Sequence, residues 1–301
     1  MIRMEKTNSI TSVIKYLMLT MIISLFTLTG CTQANNPFES SGTRYAIKKT
    51  TETVVLDNDT VTVVSIYENN ERGQPITITK TASVNGTEYE TTGITRYEYT
   101  DNGDVSSMTV STAPDFAVEA STFYEYDSNN HLIRTTETGI CDGNTATIVT
   151  EYQNNSRGKP ISVTFKNFTL NGTEYEVTGG INYEYTGHGD VSSMIVTVAP
   201  DFTVEKSTLY EYDSNHYLIR TTETGTYDGN TATVVADYQN NSRGQPISVI
   251  IKNVLFNGTE YEVTGGIYYE YTEHGDVKSM ILTTGPDFTV EKTVTYEYER
   301  I

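Results

Sequence analysis

Two cysteines and four histidines carry the most specific chemistry in this chain of 301 residues. Cys31 has the only strong nucleophile in its surroundings. The small residues Thr29 and Gly30 before it would let a peptidase approach the backbone closely. Two thiols cannot build a disulfide framework or a thiolate zinc site. The chemistry that the sequence suggests most directly is therefore at Cys31.

The residues before Cys31 have the order of a secretory signal. Arg3, Lys6 and Lys15 precede an apolar run at 16–28, and a charged-then-apolar order is typical of exported proteins. A run of about 13 residues is too short to span a bilayer comfortably as a permanent helix. Leu28-Thr29-Gly30-Cys31 resembles the lipobox of bacterial lipoproteins.

The lipobox resemblance implies cleavage between Gly30 and Cys31, a diacylglycerol on the Cys31 sulfur and an acylated new N-terminus. It implies a protein held in the bacterial cell envelope by lipid, facing the periplasm or the outside. Because Thr32 is not acidic, the resemblance favours the outer membrane where the organism has one. An ordinary signal peptide with a chance cysteine is the alternative. Residues 1–30 are thus predicted to be a signal peptide and 31–44 a flexible tether.

The charge of the chain excludes one class of partner. It has 20 basic and 39 acidic residues, and three basic and one acidic residue lie in 1–30. The mature chain therefore has 17 basic against 38 acidic residues, a net charge of −21. Nucleic-acid binding needs clustered Lys and Arg, so we expect no nucleic-acid partner. Anionic lipid headgroups should repel the protein, which leaves the N-terminal lipid as its membrane contact.

The rest of the sequence is one unit written three times. Residues 67–76 recur at 152–161 and again at 238–247, with offsets of 85 and 86 residues. Within each unit, tyrosines recur at shorter intervals, which is typical of a repeat array and not of independent globular domains. The predicted units are 45–130, 131–216 and 217–301, in one continuous β-repeat domain.

The alternation of side chains predicts an all-β fold. In 173–185, Tyr, Val and Ile alternate with Glu, Thr and Asn, a period of two that indicates half-buried strands. Turn dipeptides such as Asn171-Gly172 and Asn257-Gly258 supply the positive φ of tight hairpins. Counting strands and turns gives six strands per unit and about eighteen in all, connected as an antiparallel meander.

The phase of the repeat predicts how the meander ends. Residues 45–53 correspond to the second strand of a hairpin, and 289–298 correspond to the first strand of one. Pairing these two segments would complete the hairpin and remove both sheet edges. We therefore expect a closed or flattened barrel-like sheet that buries Tyr, Val and Ile and exposes Glu and Thr. An open, curved or spiral repeat sheet is the alternative.

Short motifs in the array resemble the YD repeats of the RHS class. Tyr124-Glu125-Tyr126-Asp127 is followed by Leu132, and the same pattern runs from Tyr210 to Leu218. Asn130 and His216 replace the glycine of that family's pattern. The resemblance implies a meander of β-hairpins winding into a curved sheet. The large family members also carry a toxic C-terminal domain, and nothing in this sequence matches one.

No other residue set points to catalysis. Cys141 aligns with Tyr227 and Leu56 in the other units, so no role common to the array needs a thiol there. Acids near turns could hold calcium, although Asp is simply favoured in turns; they are Asp57, Asp59, Asp101, Asp104, Asp190 and Asp276. The histidines are scattered over turns and predict no metal site; they are His131, His188, His216 and His274. We therefore expect no enzyme, cofactor or metal, and no ligand-binding residue can be named.

Two function classes remain. The first is a non-enzymatic envelope lipoprotein whose repeat sheet binds a protein or a glycan, or has a structural role. The second is a periplasmic or surface carrier that encloses a small or lipidic ligand in the closed sheet. The tyrosines could form a stacking platform for a ligand, but their regular recurrence favours the core of the sheet. An outer-membrane pore is disfavoured because segments such as 131–138 and 207–213 are rich in Thr and Glu where lipid-facing positions are apolar.

Overall fold

The chain divides into two units, Met1–Arg44 and Tyr45–Ile301. The structure is a computed structural model, and it describes residues 45–56, 59–113, 116–141, 144–198, 203–227, 230–261, 265–285 and 289–301. The signal peptide, the tether, Gly30 and Cys31 lie outside the described residues, so these predictions stay predictions. In the part of the chain that is described, no helix is long and apolar enough to cross a membrane.

The second unit is a single antiparallel sheet, as the period of two predicts. In chain order its strands are β1 (Tyr45–Leu56), β2 (Asp59–Asn69), β3 (Pro75–Val84), β4 (Thr87–Tyr99), β5 (Val105–Thr112), β6 (Val118–Tyr126), β7 (Leu132–Cys141), β8 (Asn144–Asn154), β9 (Pro160–Leu170), β10 (Thr173–Tyr185), β11 (Val191–Val198), β12 (Thr203–Tyr212), β13 (Leu218–Tyr227), β14 (Asn230–Asn240), β15 (Pro246–Phe256), β16 (Thr259–Tyr261), β17 (Gly265–Tyr271), β18 (Val277–Thr284) and β19 (Thr289–Arg300). Both β16 and β17 pair with β15. Together they take the place that β4 and β10 hold in the first two units, so the barrel has eighteen strand positions.

The sheet closes where the repeat phase predicts. Strand β1 pairs with β2 on one side and with β19 on the other. The β1–β19 register runs from Tyr45 opposite Arg300 to Val54 opposite Lys292. The closed arrangement is therefore confirmed over the open spiral. Closure gives the first and last strands two neighbours each, so backbone groups at the ends of the array are paired like those inside it.

The two rims of the barrel are built from different turns. On the first rim, eight turns of five residues join the strands, and the start of β1 and the end of β19 lie on the same rim. The second rim includes turns of two residues. Asn85-Gly86, for example, joins β3 to β4. Asn85 has φ 50° and Gly86 has φ 80°, the left-handed pair that a tight hairpin requires.

The inner face is more polar than the sequence predicts. Residues that oppose each other across antiparallel strands share a face, and the inner face carries the tyrosines with Val, Ile and Met. It also carries six buried threonines, although the sequence pattern predicts that Thr faces outward. These are Thr95, Thr122, Thr135, Thr150, Thr208 and Thr221. On the outer face Phe123 and Leu209 are 55% and 56% exposed. Hydrophobicity alone therefore does not assign the two faces.

Charged side chains also point into the barrel. Lys206 Nζ lies 2.8 Å from Glu223 Oε2, and their side chains are 22% and 9% exposed. One unit further on, Lys292 Nζ lies 2.7 Å from Glu52 Oε1. In the remaining repeat Ala120 stands where the lysine would be; it pairs with Gly139, two residues from Glu137 on the neighbouring strand. Among the described residues the interior therefore shows two such Lys–Glu ion pairs, and at the corresponding place Glu137 lacks the lysine.

Replacing Lys206 by alanine is expected to lower the free energy of unfolding by about 2–4 kcal/mol, because Glu223 would stay buried without its cation. The reverse change, Ala120→Lys, gives Glu137 the partner that the other units have and is expected to be neutral or stabilising. Urea denaturation of both variants measures the difference. Equal, small effects of the two changes would contradict a buried ion pair at Lys206.

Candidate functional site

A ring of hydrogen bonds links the hairpins at the first rim. In six hairpins a tyrosine hydroxyl donates to a backbone carbonyl of the preceding hairpin, over 2.6–2.8 Å. In the other three an asparagine amide does the same, over 2.7–2.8 Å. The donors are Asn69, Tyr99, Tyr126, Asn154, Tyr185, Tyr212, Asn240, Tyr271 and Tyr298. Since Asn69 donates to Ile47 of β1, the ring closes with the barrel.

This ring gives the second tyrosine of each Tyr-any-Tyr motif a structural role. Its side chain lies on the inner face, and its hydroxyl crosses to the next hairpin. From the sequence, these tyrosines could belong to the core of the sheet or form a stacking platform for a ligand. The geometry places them in the core. Their hydroxyls are used within the protein and are not free for a ligand.

The inner tyrosines form two tiers. The first tier is the tyrosine two residues before each ring-forming residue, for example Tyr210 and Tyr238, and the second tier is the ring-forming tyrosines. Burial raises the pKa in both tiers. Desolvation raises the pKa of Tyr99, Tyr212 and Tyr271 to about 12, against about 10 for a free side chain. Desolvation, with Tyr183 close by, also raises the pKa of Tyr210, which belongs to the first tier. A phenolate at these positions would be poorly solvated. In the second tier, ionisation would also remove the hydrogen bond that the hydroxyl donates.

The barrel is therefore expected to lose stability between pH 10 and pH 12. Below pH 10 these tyrosines are neutral in both states, so their contribution is fully present. Above pH 10 the unfolded chain releases protons that the folded barrel retains, so unfolding becomes easier as pH rises through the folded pKa. Phenolate absorbance and circular dichroism followed together in one alkaline titration check this. Complete ionisation near pH 10 with the sheet signal intact would contradict it.

The Asp of the Tyr-Asp motif accepts hydrogen bonds within its own turn. Asp127 Oδ1 accepts hydrogen bonds from the backbone N–H groups of Asn129 at 2.8 Å and His131 at 2.9 Å. Its hydrogen bond from His131 N–H is the main cause that lowers the pKa of this carboxyl. Asn70 Oδ1 accepts from Arg72 and Gln74 in the same way. The Asp of the Tyr-Asp motif thus closes a hairpin turn. In the turns of Asp104, Asp190 and Asp276 a threonine hydroxyl accepts the corresponding hydrogen bond, so the role of Asp127 does not extend to those acids.

The other residues considered for chemistry are spread over both rims. Cys141 is the last residue of β7 on the second rim, and Asp59 begins β2 there, accepting a hydrogen bond from Asn85 Nδ2 at 2.7 Å. Asp57 lies outside the described residues. Across the described ranges, no group of three or more His, Cys, Asp or Glu side chains is arranged to hold a metal ion. His188 and His216, however, come from different turns and lie side by side, with ring centroids 4.0 Å apart.

Bulges expose isoleucines near the first rim. At five hairpins the second residue of the returning strand has no partner in the register, because two residues oppose one on the other strand. In each case that residue is an isoleucine 38–41% exposed to solvent. The five are Ile76, Ile133, Ile161, Ile219 and Ile247. The motifs contain these residues, but only the bulge explains their exposure.

A groove of about 340 Å³ lies beside one of these isoleucines, on strands β12 to β15. Ile219 and Ile250 supply its apolar lining, and Lys252 adds a positive charge. Arg220 Nε donates to Asp237 Oδ1 at 2.8 Å across the groove. In the second unit Thr164 replaces Ile250 and Glu151 replaces Asp237, and Glu151 pairs with Lys166 at 3.5 Å. The combination of apolar lining and an Arg–Asp pair is therefore specific to the third unit.

These features define a closed antiparallel β-barrel of hairpin repeats. No protein-family model matches the chain, and no curated protein matches it. Solved structures do match. A porin-like protein from Bacteroides uniformis is 16% identical, with 84% of this chain and 96% of that chain covered and a TM-score of 0.43.

Two further solved structures are similar at lower identity. A porin-like protein from Bacteroides vulgatus is 10% identical, with 85% of this chain and 99% of that chain covered and a TM-score of 0.37. The Tc holotoxin pore of Photorhabdus luminescens is 13% identical with a TM-score of 0.42. That match covers 79% of this chain but 13% of the toxin chain.

Proposed function

We propose that this protein is a lipid-anchored lipoprotein of the bacterial cell envelope whose barrel binds a protein partner without catalysing a reaction. The observation that carries the binding role is the groove beside Ile219. It combines exposed apolar side chains with an oriented Arg220–Asp237 pair. Interfaces between proteins commonly join an apolar centre to charged groups that fix orientation.

A protein partner fits this groove better than a glycan does. Sugars are commonly bound on aromatic faces, but the ring-forming tyrosines face the interior and their hydroxyls are bonded to backbone carbonyls. The groove instead offers Ile219 and Ile250, which suit apolar side chains of another protein. Arg220 is paired with Asp237, while Lys252 and Glu211 line the same groove, so the groove offers charges of both signs to polar groups of a partner.

A photo-crosslinking amino acid at position 219 tests the binding role in cells of the source organism. We expect a crosslinked product of defined mass, and we expect Arg220→Ala to reduce it. Ile133 is the matched control, because it occupies the same place in the second unit and is 38% exposed against 39% for Ile219. Equal products from positions 133 and 219, or none from 219, would refute the groove as the binding site.

The anchor is tested separately. The full chain is expected to incorporate labelled fatty acid and to sediment with membranes. Cys31→Ser is expected to do neither, since it removes the sulfur that would carry the diacylglycerol. If the Cys31→Ser protein still took up the label, the lipoprotein assignment would be wrong, while the crosslinking result would remain informative.

A carrier role is the second candidate, favoured by one inner row of the barrel. Glu137 opposes Ile148, Ile148 opposes Phe168, and Phe168 opposes Tyr175. Ile148 and Tyr175 are 38% and 48% exposed although they share the inner face with buried residues. Mass spectrometry of organic extracts from the purified protein tests this candidate. A stoichiometric small molecule that Ile148→Trp excludes would support the carrier role, and an empty extract would oppose it.

A further inference from the structure

Neighbouring turns of the first rim meet at the same place in each repeat unit. In the first unit, Asn102 Nδ2 donates to Asn130 Oδ1 at 2.8 Å. One repeat later the same positions hold His188 and His216, whose ring centroids lie 4.0 Å apart with 45° between the planes. In the third unit His274 stacks on Tyr45, with centroids 4.9 Å apart. The three junctions thus use an amide pair, an imidazole pair and a mixed aromatic pair.

The backbone holds the two imidazoles at this junction. His216 has φ 65°, and its counterpart Asn130 has φ 62°, so both side chains leave the turn in the same left-handed conformation. The turn of His188 is fixed by the N–H of Asp190, which donates to Thr186 Oγ1 at 3.1 Å. The proximity of the imidazoles follows from turn geometry that all units share, and not from a chance side-chain orientation.

The surroundings orient one of these imidazoles. His216 Nδ1 lies 3.6 Å from Asp190 Oδ2. A carboxylate beside one ring nitrogen directs the other nitrogen, Nε2, away from it, which is the common arrangement around metal-bound histidine. Asp190 therefore lies beside His216 at a distance slightly longer than a direct hydrogen bond, and a small side-chain rotation would let it orient the ring.

Two basic side chains of the preceding hairpin, Arg157 and Lys159, lie against Gly189, next to His188. Lys159 comes from the preceding hairpin and donates its Nζ to the Gly189 carbonyl. The turn that holds His188 lies between that hairpin and the hairpin of His216. The imidazole pair is therefore bordered by Asp190 on the side of His216, and His216 remains 46% exposed to incoming ions.

We propose that His188 and His216 together bind one divalent late transition-metal ion, Cu²⁺, Ni²⁺ or Zn²⁺, with water completing its coordination. Neutral imidazole suits all three ions, and zinc lies about 2.0–2.1 Å from each histidine nitrogen. Two such nitrogens need to be about 3–3.5 Å apart, which rings with centroids 4.0 Å apart reach by small side-chain rotations. The bound ion would join two hairpins where the first unit uses the Asn102–Asn130 hydrogen bond.

Titration of the full chain in detergent with each metal alone tests this site. Isothermal calorimetry should show one site of higher affinity per chain, and Cu²⁺ at that site should show two nitrogen ligands by electron paramagnetic resonance. The double variant His188→Asn/His216→Asn recreates the amide pair of the first unit, so its fold should be kept, and circular dichroism verifies this. It is expected to lose the site, while Asp190→Asn weakens it by about 10-fold or more.

His131→Asn and His274→Asn are the matched controls, since each removes a histidine from another first-rim turn. Both are expected to leave the higher-affinity site unchanged, and Cys31 and Cys141 are the same in every variant. Unchanged binding by the double variant would overturn the proposal. So would equal loss in either control, or no binding by the unaltered chain.

Discussion

A chain that ends at Gly285 is expected to lose the folded monomer altogether. The truncation removes β19, which pairs with β1 from Tyr45 to Val54 and with β18 from Ser279 to Thr284. Two long edges would then expose unpaired N–H and C=O groups, which template association with other chains. The lost pairing and side-chain burial exceed the roughly 5–15 kcal/mol that stabilise a typical domain.

Size-exclusion chromatography with light scattering, together with circular dichroism, measures the effect of this truncation. A chain that ends at Arg300 is the control, because it keeps the whole β1–β19 register and lacks only the exposed Ile301. The control should remain a monomer with native sheet content. A monomeric, cooperatively folded Gly285 chain would show that stability does not depend on closure.

Tyr238→Ala is expected to give the largest loss of any single substitution in the interior, about 3–5 kcal/mol. Tyr238 is 8% exposed and lies in the first tier of inner tyrosines. Around it Ala236 and Val249 are 1% and 4% exposed. Small neighbours fixed in a sheet cannot collapse into the space of a missing ring, so the cavity would persist.

Two variants separate the ring from other effects at Tyr238. Tyr238→Phe keeps the ring and removes only the hydroxyl, so about 1 kcal/mol or less should be lost. Leu209→Ala removes an apolar side chain that is 56% exposed on the outer face, and should change stability by less than about 0.5 kcal/mol. Chemical denaturation ranks the three variants. A Leu209→Ala effect as large as that of Tyr238→Ala would reverse our assignment of the faces.

The two resemblances quoted from the sequence concern different parts of the chain. The lipobox lies in residues outside the described part, and its consequences are proposals that rest on Cys31. The Tyr-Asp motif lies in the barrel, where Asp127 closes a turn and Tyr126 donates to the Val105 carbonyl. Of the two residues of this motif, only the aspartate could be assigned a role from turn chemistry. The role of Tyr126 depends on a neighbouring hairpin that the motif does not contain.

The candidate binding groove was not predicted. Its charged residues come from β12 to β15, and its exposure depends on the bulge at Ile219. A bulge adds one unpaired residue to a strand. The local sequence Leu218-Ile219-Arg220 is equally compatible with a regular strand, so it does not predict the bulge. The imidazole pair was also missed, because His188 and His216 are 28 positions apart and belong to different turns.

The array can be predicted from the sequence: its three units, its hairpins, the antiparallel meander and the complementary halves of the hairpin that closes it. These follow from local rules, since alternation of side chains sets strands and Asn-Gly or Asp-containing segments set turns. Which side chains meet becomes visible only in the folded barrel: the ring of nine hydrogen bonds, the inward threonines, the Lys206–Glu223 pair and the His188–His216 pair. Such contacts depend on register and bulges between strands, and a change of one residue in register moves a side chain to the opposite face.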